Sequence, residues 1–419
     1  MNRNDFNMLN NLVYLDNGAT TLKPRVLSET ISDYYNNYSA NAHRGDYDIS
    51  LKVDTMYEKT RHLVREFINA NSVKEIVFTS GTTDSLNKIV NGYFKNYLKE
   101  NDEVLITKSE HASNVLPWFE LVDSNKIKVN YIDLDNEYKL TLENVKKAIT
   151  DKTKVISIAY ITNVVGDIRP VKEIIDYAHS KGILVVLDGA QSVPHIKTDV
   201  KELDADFLAF SAHKMCGPTG VGVLYGKEHL LENLYPTVVG GGMNASFSSE
   251  NIRVYDDLPH RLEAGTPNIA GVIGFGKVIE YLNEIGMENI HNYEMNLRNK
   301  LINELKQIPN IIIYNEFSNS GIVTINYKDG TSEVKSKEIT VNPVLFEDLP
   351  ELVRDSERYG IIFIVTANAT NSVYRKISQN FNNRYAFKLK DATEYLEVFN
   401  SKKKIIIENI LGEKLWYFF

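Results

Sequence analysis

From about residue 50 to about residue 260 the chain alternates short apolar runs with amphipathic stretches, and this rhythm constrains the fold more than any other feature. EIVFT (75–79), EVLIT (103–107), KVNYIDL (128–134), KVISIAYI (154–161), ILVVLD (183–188), FLAFS (207–211) and VGVLYG (221–226) read as strands. Between them lie helical patterns. In residues 50–70, Val53, Met56, Tyr57, Leu63, Val64, Phe67 and Ile68 share one helical face. After SGTT a second helix carries Leu86, Ile89, Val90, Tyr93, Phe94, Tyr97 and Leu98, and VKEIIDYAHSKG (171–182) is a third. Strands of this length alternating with helices predict an α/β fold, a mostly parallel sheet covered on both faces.

Composition narrows the function. The net charge is −8 with no dense Lys/Arg stripe, which argues against a nucleic-acid partner. No apolar run approaches the roughly 20 residues of a membrane span. The first residues lack the basic-then-apolar layout of a signal peptide, so a soluble, cytoplasmic protein is expected. A single cysteine, Cys216, excludes a disulfide framework and a cysteine-rich metal site, and no metal is expected.

Parallel sheets place active sites at the C-terminal ends of their strands, and four short segments fall there. SGTT (80–83) joins a strand to a helix; free N–H groups after a glycine and threonine hydroxyls suit a phosphate, or a plain helix cap. Asp188 ends the run VVLD, where an ionised carboxylate needs a partner such as a protonated ring nitrogen. FLAFSAHK delivers Ser211, His213 and Lys214 into a Gly/Pro turn, and a lysine at a sheet mouth can form a Schiff base. His111 follows another strand and is placed to lie over a planar ring. Each signal alone has a bland structural reading. Together they match the demands of pyridoxal phosphate: a phosphate cup, a carboxylate, an imine lysine and a group on the ring face.

The chain also resembles the class V aminotransferases, specifically their cysteine desulfurase and selenocysteine lyase branch. The resemblance runs from about residue 12 to 328, through YLDNGATT, NAHRGDYDIS, EIVFTSGTTDSLN, KSEHASNVLPW, ITNVVGDIRPV, VVLDGAQSVPH, FSAHKMCGPTGVGVLYGK, VVGGGM and LEAGTPNIAG. It implies a pyridoxal-phosphate transferase of fold type I, with a large domain, a small C-terminal domain, a homodimer and a small amino-acid substrate. It further implies that Lys214 forms the imine, Asp188 pairs with the ring nitrogen, Gln191 and Asn163 address the ring oxygen, and His111 stacks on the ring. Thr82, Thr83, Ser211 and His213 resemble the phosphate cup. Gly265 and Thr266 resemble the loop that reaches the neighbouring subunit's phosphate, and His43 and Arg44 would lie near the substrate entrance.

Two motifs are read as decoys. GVIGFGKV (271–278) begins like a nucleotide P-loop but lacks the following Ser or Thr and falls in a helical pattern. Cys216 is read as a small apolar filler of its turn rather than a nucleophile. The expected division is an N-terminal arm and large domain over 1–290, the start of a small domain over 291–330, and an atypical α/β segment over 331–419. In that last segment the family's loop cysteine and its substrate-carboxylate arginine are not found. Residues 359–399 instead resemble the end of an FtsK/SpoIIIE-type translocase ATPase of the type VII secretion kind, a RecA-like fragment without a phosphate-binding loop. Beside the enzyme reading stand a non-catalytic protein that keeps the fold for binding or assembly, and a secretion-machine component.

Overall fold

β-Branched and aromatic residues dominate the apolar runs, and in the computed structural model each run forms a strand of one seven-stranded sheet. The strands are β1 (Ile76–Thr79), β2 (Glu103–Thr107), β3 (Lys128–Ile132), β4 (Thr153–Ala159), β5 (Leu184–Asp188), β6 (Phe207–Ser211) and β7 (Gly222–Gly226). Their order is β1-β7-β6-β5-β4-β2-β3. Strands β2 to β6 run parallel to one another, whereas β7 is antiparallel to both β6 and β1. The structure describes residues 3–10, 14–42 and 45–327. His43, Arg44 and the ATPase-like stretch lie outside them. Among the described residues, contacts gather 3–10, 14–42, 45–309 and 313–325 into one unit, and 310–312 and 326–327 group separately.

Alternation along each strand sends side chains into two cores, one on each face. Val185 and Leu187 of β5, with Leu208 and Phe210 of β6, join one core; Val186, Phe207 and Ala209 join the other. The first core is roofed by the helices Arg25–Asn37, Asp48–Phe67, Val171–Ser180 and Ile269–Ile285, the second by the helical stretch after β1 and by Leu116–Asn125. Each large apolar side chain withdrawn from water in these layers contributes roughly 1.5–3 kcal/mol.

The predicted second helix runs as an α-helix over Thr82–Lys88, widens to a π-helix over Ile89–Phe94, and closes at Lys95–Tyr97. The widened turn brings the Gly92 carbonyl to the backbone N–H of Tyr235 at 2.9 Å. GVIGFGKV lies inside Ile269–Ile285, and its glycines serve packing. A Cβ on Gly276 would lie 2.4 Å from Thr60 Oγ1, so the glycine lets two helices approach. Arg61, on the helix Asp48–Phe67, is fully buried against Glu263 at 2.7 Å and also bonds Glu58 and the Ile76 carbonyl. Beyond the sheet, Met287–Leu305 is helical, and the short strands Ile311–Ile313 and Ile325–Tyr327 pair. Among the described residues no helix is long and apolar enough to cross a membrane.

Candidate active site

The C-terminal ends of β2, β4, β5 and β6 and the turn after β1 converge, because parallel strands all deliver their last residues to one edge. Asp188, the last residue of β5, is buried at 4% exposure. One carboxylate oxygen accepts the Ala190 N–H at 2.9 Å; the other has no hydrogen bond among the described residues. Burial above all, and then Glu110, push its carboxyl up to about 6 against the pull of Lys214 and Arg169. Lys214 follows β6 on a short 3-10 turn, Ala212–Lys214. Burial lowers its pKa, with Asp188 opposing the shift, so a larger share of free amine is present near neutrality.

Of the residues expected to form a phosphate cup, Thr82 and Ser211 are brought together. The Thr82 N–H donates to Ser211 Oγ at 2.6 Å, and the two hydroxyls lie 2.7 Å apart, joining the turn after β1 to the end of β6. Their approach depends on glycine: a Cβ on Gly222 would lie 2.4 Å from the Gly81 Cα. Thr83 is exposed and its hydroxyl bonds that of Ser113 at 2.7 Å. Ser113 also meets His111 Nδ1 at 3.1 Å, which orients the imidazole. The surrounding protein, then Lys214, lower the His111 pKa and favour its neutral form. His213 is likewise lowered, by burial, Lys214 and Lys23, and its Nδ1 lies 3.1 Å from Thr20 Oγ1. That ring is tied to the N-terminal arm.

Gln191 is buried, and its Nε2 donates to the Gly18 carbonyl at 2.8 Å. Its Oε1 is buried without a partner among the described residues, a polar atom left for a ligand. Asn163 is half-buried, and its side chain makes no hydrogen bond among the described residues. Gly265 and Thr266 lie exposed on another loop, with Gly265 at φ +88° and its N–H on the Gly241 carbonyl. No hydrogen bond joins them to the other candidates among the described residues. An amine of lowered pKa and a buried carboxylate with a free oxygen fit the imine and ring-nitrogen demands of pyridoxal phosphate.

Several contributors were missed by sequence reasoning. The His213 carbonyl accepts from the Thr21 N–H, the hydroxyls of Thr20 and Thr21, and the Lys23 amine at 2.8–3.1 Å. The arm thus clamps the lysine turn, and the only sequence signal was the polar TTLK run after a glycine. Arg169 and Glu110 form an ion pair with both side chains fully buried. Nothing in their spacing announced it. Among the described residues no cluster of metal-ligating side chains occurs.

The aminotransferase class-V family matches residues 13–340. A probable cysteine desulfurase of Halalkalibacterium halodurans is 42% identical over 318 residues, covering 76% of this chain and 78% of the relative. The apo cysteine desulfurase of Thermococcus onnurineus NA1 superposes with a TM-score of 0.74 at 33% identity, covering 86% of each chain. The cysteine desulfurase CsdA of Escherichia coli gives a TM-score of 0.75 at 30% identity, covering 90% of this chain and 89% of that one.

Proposed function

The chain belongs to the aminotransferase class-V family, and we propose that it is a pyridoxal-phosphate enzyme acting on a small amino acid, most like the cysteine desulfurases. The observation that carries this reading is the occurrence, at adjoining strand ends, of Lys214, its amine pKa lowered by burial, and the buried Asp188 carboxylate, which has one oxygen free of hydrogen bonds among the described residues. Pyridoxal phosphate, once bound, serves as the electron sink when a bond to the substrate Cα is broken.

The chain's own residues supply the rest. Lys214 would hold the cofactor covalently, and its amine would carry protons at the substrate carbon. Asp188 would offer its free oxygen to the ring N–H, while Gln191 and Asn163 would offer amide N–H groups to the ring oxygen. Neutral His111 covers the ring face and excludes water from it. Thr82, Thr83, Ser211 and His213 would present hydroxyl and imidazole groups to the phosphate. Gly265 and Thr266, exposed here, serve the site of a second subunit in a homodimer, and His43 and Arg44 border the substrate entrance. In this reading the small domain begins near residue 291.

The test is borohydride reduction of the protein incubated with pyridoxal phosphate. We expect visible absorbance that reduction removes and an adduct mapped to Lys214; the same adduct in Lys214→Ala overturns the assignment. Sedimentation of a monomer that binds the cofactor undiminished contradicts the shared site.

A further inference from the structure

Arg169 and Glu110 meet at 2.5 Å with both side chains wholly excluded from solvent. Burying two charges costs several kcal/mol per ion, so the pair must be closely satisfied. Arg169 Nη1 also donates to the Ala159 carbonyl at 3.2 Å, and Nη2 donates to Thr107 Oγ1 and Ser109 Oγ, each at 2.8 Å. Glu110 accepts from the Thr107 hydroxyl at 2.7 Å, Asn114 Nδ2 at 2.9 Å and the Ala159 N–H at 2.7 Å.

These bonds converge on the segments that carry the candidate groups. Glu110 immediately precedes His111. Ala159 is the β4 partner of Asp188, and the Tyr160 N–H donates to the Asp188 carbonyl at 3.0 Å. The Arg169 N–H closes the loop bearing Asn163 by donating to the Tyr160 carbonyl at 3.0 Å. The ion pair therefore braces three loops at the floor of the site. Both charged heads bond the backbone of Ala159, the residue registered beside Asp188 on the neighbouring strand.

We infer that Arg169 and Glu110 are a positioning pair that sets the charge of Asp188, Arg169 favouring its anion and Glu110 opposing it. The inference rests on the pyridoxal-phosphate reading for its purpose, since only an anionic Asp188 holds a protonated ring nitrogen. The charged groups bearing on Asp188 are Glu110, Lys214 and Arg169, and their signs agree with this assignment. A brace without an electrostatic role has a different signature. Losing either partner then loosens the site, and Asp188 responds in the same direction to both losses.

The experiment titrates the Asp188 carboxyl by carbon-13 NMR in cofactor-free protein labelled at aspartate, the resonance being assigned by its loss in Asp188→Asn. Arg169→Gln should raise the midpoint by about one pH unit and Glu110→Gln should lower it by about one. Arg169→Lys, which keeps the charge, should stay near the parent. Shifts of one sign in both partners, or no shift, overturn the inference. If Arg169→Gln yields no folded protein, the Lys and Glu110→Gln variants decide: a parent-like midpoint beside a lowered one supports the pair, and equal midpoints overturn it. Adding pyridoxal phosphate to the parent separates the two readings. Failure to develop visible absorbance sinks the cofactor assignment while leaving the titration result intact.

Discussion

The backbone N–H of Cys216 donates to the Thr21 hydroxyl at 2.7 Å, fastening the N-terminal arm to the turn that follows Lys214. With the arm's further bonds to the His213 carbonyl, the lysine turn is held from outside the sheet as well as by β6. A cysteine in this place is fixed rather than mobile.

Sulfur transfer from cysteine requires an accessible thiolate that can move. Cys216 is buried, sits at φ +62°, and burial pushes its thiol up to about 11. At pH 8 only about one molecule in a thousand then carries the thiolate. No cysteine follows it in the sequence. We expect sulfide release from cysteine under a reductant to stay at background, unchanged in Cys216→Ala. Robust release by the parent, abolished by that substitution, would make Cys216 the nucleophile.

Gly222→Ala should damage the proposed phosphate cup. Its Cβ would press on the Gly81 backbone, which cannot rotate away as a flexible side chain can. Overpacking of this kind costs about 1–3 kcal/mol. The strain falls where Thr82 and Ser211 meet, so pyridoxal-phosphate affinity should drop more than tenfold. Fluorescence titration together with urea denaturation checks both effects; unchanged affinity contradicts the placement of the cup.

Asp188 should make cofactor-free protein less stable as pH rises. Its folded carboxyl titrates at about 6, above the ordinary value of 3.8. A raised pKa means the folded state binds more protons between these values, so this contribution is present below pH 4 and lost by pH 6 to 7. Two pH units correspond to about 3 kcal/mol. Asp188→Asn, which keeps the acceptor for Ala190, should therefore gain stability relative to the parent as pH climbs from 4 to 7. A difference that stays flat with pH in denaturant titrations refutes this.

Arg61→Met should lose about 3–5 kcal/mol, because Glu263 keeps a buried charge without its partner. Pairing it with Glu263→Leu should recover only part of the loss. Glu263 also accepts the Phe78 N–H at 2.6 Å, and a leucine leaves that donor orphaned. Full recovery in the double variant, measured by urea midpoints, runs against this account.

What the sequence determined is local. Val185, Val186 and Leu187 show by alternation that β5 is buried on both faces, and a strand so buried must end in a turn where Asp188 meets a cleft. The same holds for FLAFS before Lys214 and EIVFT before SGTT, and all three strands occur within a residue of their sequence bounds. The helical placement of GVIGFGKV and the burial of Cys216 were also legible, since helical period and a Gly/Pro turn act over a few residues. The tertiary structure decided which ends meet. Thr21 reaches the His213 carbonyl across 192 positions, Thr82 reaches Ser211 across 129, and Arg169 reaches Glu110 across 59. Such contacts follow from strand order, in which β7 inserts between β1 and β6, and no periodicity encodes that insertion. A buried charge shows its partner only after the sheet has closed around both, because desolvation, which makes the pairing obligatory, is a property of the packed chain.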